Sequence, residues 1–458
     1  MNTIIFENFF GLKINNNKKI PNNDFFGVFV SIKRNHKLKN YPVDIHGCIG
    51  YMNSQFTKLT KKELYDHCLD VSVSALSKDS RKNYFPTPLL TDSNSMIEIS
   101  WMKLPIIHSQ NNMNHTDYGL IVKKNNNLTT YLPNVFHGKK IGEIKKDLLR
   151  KASLTNNKDI EYYCYTIMNQ SKTLYQCLYN HLQHTYLKDV EMNINEYYSS
   201  HSSIFYNYMN GKYQIEQSQF IRNLASIKTL YSLQLSDKTK EKMQNEVKYI
   251  LNLNSNSSLS FQESIALFDI FHFLKINLKD TLFNKIITNP ISQLNKITDI
   301  SFTLGQYGIL CSKICNKKLH QEIYNKISKK YSNSEIKSTN NSIIDIFKLN
   351  WKIQFQYSFF EYSKNDLLES IKQLKIYYNL NKNNFQNMET NYLAVLFEAT
   401  CHLFYENKKD IDLQDILFNT LMYLFQNRLQ NDIYFEFKNK ECRLDITCHI
   451  LNGIRLCF

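Results

Sequence analysis

No hydrophobic run in the 458 residues approaches the roughly 18 that a membrane span requires, so any membrane role would be peripheral. The segment from Met1 to Lys19 has no basic start, apolar stretch or small-residue cleavage site, and so does not read as a signal peptide. The ten cysteines form no even framework of short spacings. Nor do they supply the paired Cys-x-x-Cys blocks of a closed zinc site. These absences speak against a spanning protein and a secreted disulfide scaffold, and favour a cytoplasmic protein with reduced thiols. An RNA-binding aromatic signature is also missing, since the many Tyr and Phe fall in apparent core stripes.

What is present is length, apolar content and positive charge. A chain of 458 residues exceeds what one hydrophobic core usually serves, so two domains are expected. With 43 % hydrophobic residues, each can bury a sizeable core. The 56 basic and 41 acidic side chains give a formal charge of +15. Residues 1 to 170 hold 23 of the basic and 14 of the acidic ones, which concentrates the excess in the N-terminal part. This basic balance suits an anionic ligand or, less well, nucleic acid, and is equally a solvated Lys surface. Asn-rich runs such as Asn15-Asn16-Asn17 and Asn125-Asn126-Asn127 read as turns.

The most informative stretch is Ile45-His46-Gly47-Cys48-Ile49-Gly50, just after the alternating run Gly27-Val28-Phe29-Val30-Ser31-Ile32-Lys33. It is followed in order by Val73-Ser74-Ala75-Leu76-Ser77-Lys78-Asp79-Ser80-Arg81, Ile97-Glu98-Ile99-Ser100 and Tyr118-Gly119-Leu120-Ile121-Val122. Tyr131-Leu132-Pro133-Asn134-Val135 and Leu148-Leu149-Arg150-Lys151-Ala152-Ser153-Leu154 complete the succession. Over about residues 1 to 170 this order resembles the AMMECR-type domain family, whose hallmark is a Leu-Arg-Gly-Cys-Ile-Gly hexapeptide. Two positions depart from the pattern. His46 stands where the family usually has Arg, and the family's compact Asp-Pro-Arg-Phe is loosened to Asp79-Ser80-Arg81-Lys82-Asn83-Tyr84-Phe85. If that Arg holds an anion in relatives, His46 would do so only when protonated.

The resemblance implies an α+β fold, with antiparallel strands and packed helices. It also implies partners such as Memo-like proteins or radical-SAM enzymes, and a nucleotide, RNA or modification role whose reaction stays open. The residues agree with that fold on their own. Val28, Val30 and Ile32 alternate with Phe29, Ser31 and Lys33, the period of a strand. Leu64, Cys68, Val71 and Ala75 recur every three or four residues, so Leu64 to Leu76 reads as a helix with one buried face. Lys145 to Ala152 reads as a second helix.

Gly47 and Gly50 would let a Gly-Cys-Ile-Gly turn leave the Cys48 sulfur reachable by a ligand. His46 and Cys48, two apart on a strand, would project from one face, where the imidazole could draw off the thiol proton. Cys48 is equally a small buried hydrophobe. Asp79 and Arg81 form either an anion-facing pair or a solvated turn. His46, Cys48, His67 and Cys68 offer metal-ligating atoms but match no closed pattern, so neither a metal nor a cofactor is expected.

Between residues 171 and 201 a polar, aromatic segment reads as a connecting helix and linker, with His181, His184 and His201 as unpaired surface histidines. From 202 to 458 the chain reads as all-α, with strand-like alternation almost absent. Phe220, Leu224, Ile227 and Tyr231 mark one amphipathic helix, and Phe261, Ile265, Phe268 and Phe271 the next. Others run through Ile343 to Phe360, Leu367 to Tyr377, Tyr392 to Phe404 and Ile416 to Phe425, enough for five or six helical hairpins.

The order of Tyr206 to Tyr213, Phe220 to Ala225, Leu259 to Leu267 and Arg443 to His449 resembles the α/α-toroid families, closed barrels of helical hairpins that include glycoside-processing enzymes, cyclases and non-catalytic relatives. In such barrels a cleft at one end holds the ligand. Arg222, Asn223 and Arg443 are then expected to bind it. Asp445 and His449, four apart on one helix face, would be an acid–base pair, and Glu398 and His402 repeat that spacing. A glycosidase would commonly need a second carboxylate, which the sequence does not assign. An open solenoid is the rival architecture, and would keep residues 445 to 457 apart from those near 220.

Two functions follow. One is an enzyme acting on a small anionic, peptide or glycan substrate, with Cys48 near the site. The other is a non-catalytic binding or scaffold protein for a nucleotide-like, RNA or protein partner.

Overall fold

The computed structural model describes residues 1–12, 20–22, 24–34, 45–84, 92–108, 117–125, 127–133, 135, 139–154, 159–200, 207–209, 212–214, 220–254, 260–275, 290–300, 302–336, 344–427, 430–431, 434–438 and 441–458. Of the positions singled out above, Asn15 to Asn17, Phe85, Asn126, Asn134, His201, Tyr206, Leu259 and Ile343 lie outside the described residues. The chain divides into two compact units, Met1–His181 and Leu182–Phe458. The division falls inside the expected connecting segment, which is helical from Leu174 to Ser200 with one π-turn at Leu182–Tyr186.

The first unit is built on a six-stranded antiparallel sheet. Its strands are β1 (Phe25–Lys33), β2 (Ile45–Met52), β3 (Met96–His108), β4 (Gly119–Lys124), β5 (Asn127–Tyr131) and β6 (Glu161–Thr173), in spatial order β2-β1-β3-β6-β4-β5. Helices α1 (Asn2–Phe9), α2 (Lys61–Ser77), α3 (Ile141–Lys151) and α4 (Leu174–His181) pack on it. The alternation of β1 is realised in part: Val28, Val30 and Ile32 are fully buried and Phe29 and Lys33 half-buried, but Ser31, expected on the outer face, is buried too. Thr60 and Glu63 close a reciprocal cap at the start of α2, and its buried face carries Leu64, Cys68, Val71 and Ala75 as the spacing predicts. Leu120, Val122, Ile144, Leu148 and Cys164 form the core under α3.

His181 does not behave as a surface histidine. It is buried, with Nδ1 3.1 Å from Glu7 Oε1, because a polar ring inside a helix packed on α1 needs a partner once water is gone.

The second unit is helix-rich. Its helices are α5 (Leu187–Ser200), α6 (Phe220–Tyr231), α7 (Asp237–Asn254), α8 (Phe261–Leu274), α9 (Pro290–Lys296), α10 (Phe302–Ile314), α11 (Lys317–Ile336), α12 (Ile346–Ser358), α13 (Phe360–Asn381), α14 (Thr390–Glu406), α15 (Ile411–Asn427) and α16 (Leu444–Cys457). Alternate helices pack on one another in turn: α6 on α8, α8 on α10, α10 on α12, α12 on α14 and α14 on α16. Helix α16 also packs on α6. Residues 445 to 457 therefore lie against those near 220.

The expectation of almost no strands in this part needs correction. Strands β7 (Asn207–Met209), β8 (Lys212–Gln214), β9 (Gln430–Asn431), β10 (Tyr434–Lys438) and β11 (Glu441–Arg443) form a sheet of order β8-β7-β11-β10-β9. Cys442 stands opposite Tyr208 in antiparallel register. Segments of two to five residues are too short to show a period of two; local pairings link β7 to β8 and β9 to β10 to β11, and the β7–β11 pairing across more than 200 residues joins them into one sheet.

Candidate functional site

In the first unit, Cys48 lies within the continuous strand β2 and not in a turn, which corrects the expected Gly-Cys-Ile-Gly bend. The two glycines serve packing. A Cβ on Gly47 would fall 1.9 Å from the Ala75 carbonyl oxygen of α2, and one on Gly50 would fall 2.3 Å from the Phe29 ring. The register of β1 and β2 slips between Ile32 and Lys33, opposite the stretch that holds His46. The slip breaks the two-residue alternation that would have set His46 beside Cys48. His46 instead is buried and hydrogen-bonded to backbone at Leu76, and no hydrogen bond joins it to Cys48. Burial, reinforced by Arg34, pushes the His46 pKa down, so it is a poor anion ligand.

Cys48 is half-buried among polar groups. The Ser31 hydroxyl is 3.0 Å from its Sγ, and its backbone N–H donates to Asp79 Oδ2 at 2.9 Å. Arg81 clamps that carboxylate through Nε at 3.0 Å and Nη2 at 2.5 Å, and donates to the Cys48 carbonyl at 3.1 Å. Partial burial disfavours the Asp79 charge, but the Arg81 clamp and the backbone donors outweigh it and hold the carboxyl at about 2. Asp79 and Arg81 are thus a fixed pair tying the end of α2 to β2. Lys151, its pKa lowered by burial, is near enough to feel both Cys48 and Arg81, a neighbour the sequence did not single out. Of the other possible metal-ligating residues here, Cys68 is in the core and His67 stacks on Tyr51 at 3.5 Å. Among the described residues no group of three or more His, Cys, Asp or Glu is placed to hold a metal.

The second unit contains a cavity of about 730 Å3. Residues of all six alternate helices line it, among them Arg222 and Lys228 of α6, Asp269 of α8, Gln306 of α10, Asn350 and Trp351 of α12, Glu398 and His402 of α14, and Asp445, His449 and Asn452 of α16. Glu398 is a buried carboxylate with three hydrogen-bond partners. Its Oε2 accepts from Asn350 Nδ2 at 2.9 Å and is 2.7 Å from His449 Nδ1, and its Oε1 accepts from Asn452 Nδ2 at 2.9 Å. Asn452 Oδ1 in turn accepts from the Thr229 hydroxyl at 3.0 Å. Burial opposes ionisation of both partners, yet each stabilises the other's charge: Glu398 is held below its ordinary range and His449 above its own. His449 Nε2 makes no hydrogen bond among the described residues.

The sequence expectation of pairs within each helix therefore changes. Asp445 does not orient His449; it is held bidentately by Arg443 at 3.0 and 2.5 Å, with Arg222 Nε at 3.7 Å. Glu398 takes His449 from the neighbouring helix, while burial pushes the pKa of His402, on its own helix, down. Arg443 is buried and outside the cavity lining, so it positions Asp445. Asn223 is also buried and off the lining, because one residue along a helix turns the side chain by about 100° from that of Arg222. A second charged group was missed: Asp269, 3.1 Å from Lys313 and paired also with Lys228. The signal for it was a lone acid inside the apolar run Ala266-Leu267-Phe268-Asp269-Ile270-Phe271, and Glu398 sits in a similar run.

A curled antiparallel sheet wrapped by helices, joined in sequence to a helix-rich region, defines the class of protein. Residues 7–169 match the AMMECR1 family model, so the first unit carries an AMMECR1 domain, whose function is unknown. An uncharacterised protein from Pyrococcus horikoshii, solved by crystallography, is similar at 21% identity over 37% of this chain and 86% of that one, with a TM-score of 0.29. A search among curated proteins found no match. Among the described residues no helix is long and apolar enough to cross a membrane.

Proposed function

We propose that the second unit is an α/α toroid and that its cavity is the active site of an enzyme acting on a small polar substrate, with His449 as general acid–base and Glu398 as its positioning residue. The pairing of alternate helices, with α16 returning to α6, supports the closed barrel. The observation that carries the chemistry is the Glu398–His449 bond at 2.7 Å, in which a buried carboxylate fixes the imidazole and leaves Nε2 without a protein partner beside the cavity. A carboxylate so placed selects the tautomer with the proton on Nδ1 and stabilises the cation formed when Nε2 takes a proton. Cys48 is the weaker candidate for covalent chemistry, since among the described residues no base is hydrogen-bonded to its thiol.

The test is hydrolysis by the full chain of a panel of p-nitrophenyl glycosides, esters and phosphates, with His449→Gln alongside. Turnover at least about a hundredfold lower in the variant, in line with loss of a general base, supports the reading. Equal rates in both proteins remove His449 from the chemistry, and no turnover of any class favours a binding protein instead.

A further inference from the structure

Four cysteines of the second unit fall into two close pairs, and one of the two suits a bridge. Cys311 and Cys315 are four apart on α10. Residues so spaced on a helix hold their Cβ atoms about 5–6 Å apart, farther than the roughly 3.5–4.5 Å that a disulfide spans. Cys401 and Cys457 come instead from different helices, α14 and α16, and are 56 residues apart in the chain. Cys457 Sγ is 3.2 Å from the Cys401 carbonyl oxygen, and the two thiols are within hydrogen-bonding reach of each other.

The backbone brings them together. Gly453 lies one turn before Cys457 on the same face of α16. A Cβ on Gly453 would fall 2.7 Å from the Phe397 ring and 3.0 Å from Cys401 Sγ, so the missing side chain is what lets α14 and α16 approach at this point. The face of α16 that receives the Cys401 sulfur is therefore the face that carries Cys457. The two thiols differ in access. Cys401 is fully buried, and burial, followed by the neighbouring Cys457 sulfur, pushes its pKa well above the ordinary thiol value. Cys457 is half-buried, so a small oxidant meets it first. A reachable thiol beside a buried one is the arrangement of an attacking and a resolving cysteine.

We infer that Cys401 and Cys457 are a redox-responsive pair, which a small disulfide such as oxidised glutathione converts to a stabilising disulfide between α14 and α16. The Cys457 thiol gives its proton to solvent and attacks one sulfur of the oxidant. The oxidant's S–S bond breaks, an S–S bond forms at Cys457, and the expelled glutathione thiolate takes a proton from solvent. Cys401 then attacks the Cys457 sulfur, and the second glutathione thiolate leaves with the proton that Cys401 gives up. Two protein thiols are oxidised and one glutathione disulfide is reduced to two thiols. In a reducing compartment such pairs rest as dithiols and close transiently. Cys401 follows Glu398 by three residues and Cys457 follows His449 by eight, so the bridge clamps the two helices that the Glu398–His449 bond already joins.

The experiment oxidises the full chain with glutathione disulfide, alkylates the remaining thiols, digests without reductant and maps the linked peptides by mass spectrometry, with Cys457→Ser and Cys315→Ser alongside. Cys401–Cys457 is expected as the principal linked pair in wild type and in Cys315→Ser. It should be at least about tenfold more abundant than in chain oxidised in concentrated urea, because the fold holds the thiols at high effective concentration. The oxidised protein is expected to melt about 4 °C or more above the reduced one, as for a bridge closing a loop of this length. Dithiothreitol should reverse that rise and Cys457→Ser should lack it. Cys401 left unlinked in the native protein, or a glutathione adduct on Cys457 that never resolves, overturns the inference. So does a melting temperature that oxidation leaves unchanged or lowers, or a rise that Cys457→Ser retains.

Discussion

Gly47 has space for a hydrogen and nothing larger, since any Cβ would enter the carbonyl of Ala75. Gly47→Ala must therefore push α2 away from β2, and is expected to cost at least about 3 kcal/mol, the upper range for overpacking, read from urea unfolding. Asp79 acts two residues from the end of α2, where its carboxylate receives Arg81 and the Cys48 N–H. Asp79→Asn is expected to lose about 2 kcal/mol at neutral pH, as for hydrogen bonds to a charged group. Because the folded carboxyl is held at about 2, its stabilisation is complete above the ordinary Asp value and is lost as pH falls through about 2. Wild type should therefore lose stability between roughly pH 4 and 2 by a component that Asp79→Asn lacks. The thiols divide in the same residue-level way. Burial pushes Cys68, Cys177 and Cys448 up to about 12, whereas Cys48 is half-exposed. A thiol probe at pH 7 should label Cys48 first among these four, and equal labelling would remove any case for a ligand-accessible sulfur.

At the scale of elements, α14 and α16 are joined through Glu398, His449 and Asn452, and pH reads out that joint. His449 titrates above its ordinary value, so its contribution is full below about pH 6.5 and disappears as pH rises through the raised value. Glu398 titrates below its own, so its contribution is full above about pH 4.5 and disappears as pH falls through the depressed value. The pair thus stabilises most between these limits. Chemical denaturation at pH 5.5 and 8.5 should show a fall in stability with rising pH that His449→Asn abolishes. The elements themselves were largely legible: the apolar spacing of Leu64 to Ala75 and of Phe261 to Phe271 matches α2 and α8. Their partners were not. The spacing of four in Asp445/His449 and Glu398/His402 is a local geometry, whereas the pairing that forms is between helices, and nothing local says which helices become neighbours.

At the scale of the molecule, the chain has two compact units, each with its own buried core. A fragment ending at His181 retains the whole six-stranded sheet and the His181–Glu7 contact. It is expected to unfold cooperatively on its own when followed by circular dichroism. A fragment cut at 170 loses α4 and is expected to melt at least several degrees lower, since that cut removes the buried Leu174, Cys177 and Leu178 and uncovers the apolar surface of α1 and the sheet they pack on. The sequence alone determined the AMMECR-type module, the strand at Val28 to Ile32, the amphipathic helices and the Cys48 motif, because periodicity and motif order depend on residues close along the chain. Only the tertiary structure decided that Gly47 and Gly50 serve packing, that His46 turns to α2 while Asp79 and Arg81 brace Cys48, and that Asn350, Glu398 and His449, spread over about a hundred residues, share one cavity wall. Those outcomes depend on contacts between distant segments, whose free energy is set by packing and desolvation and has no signature in local spacing.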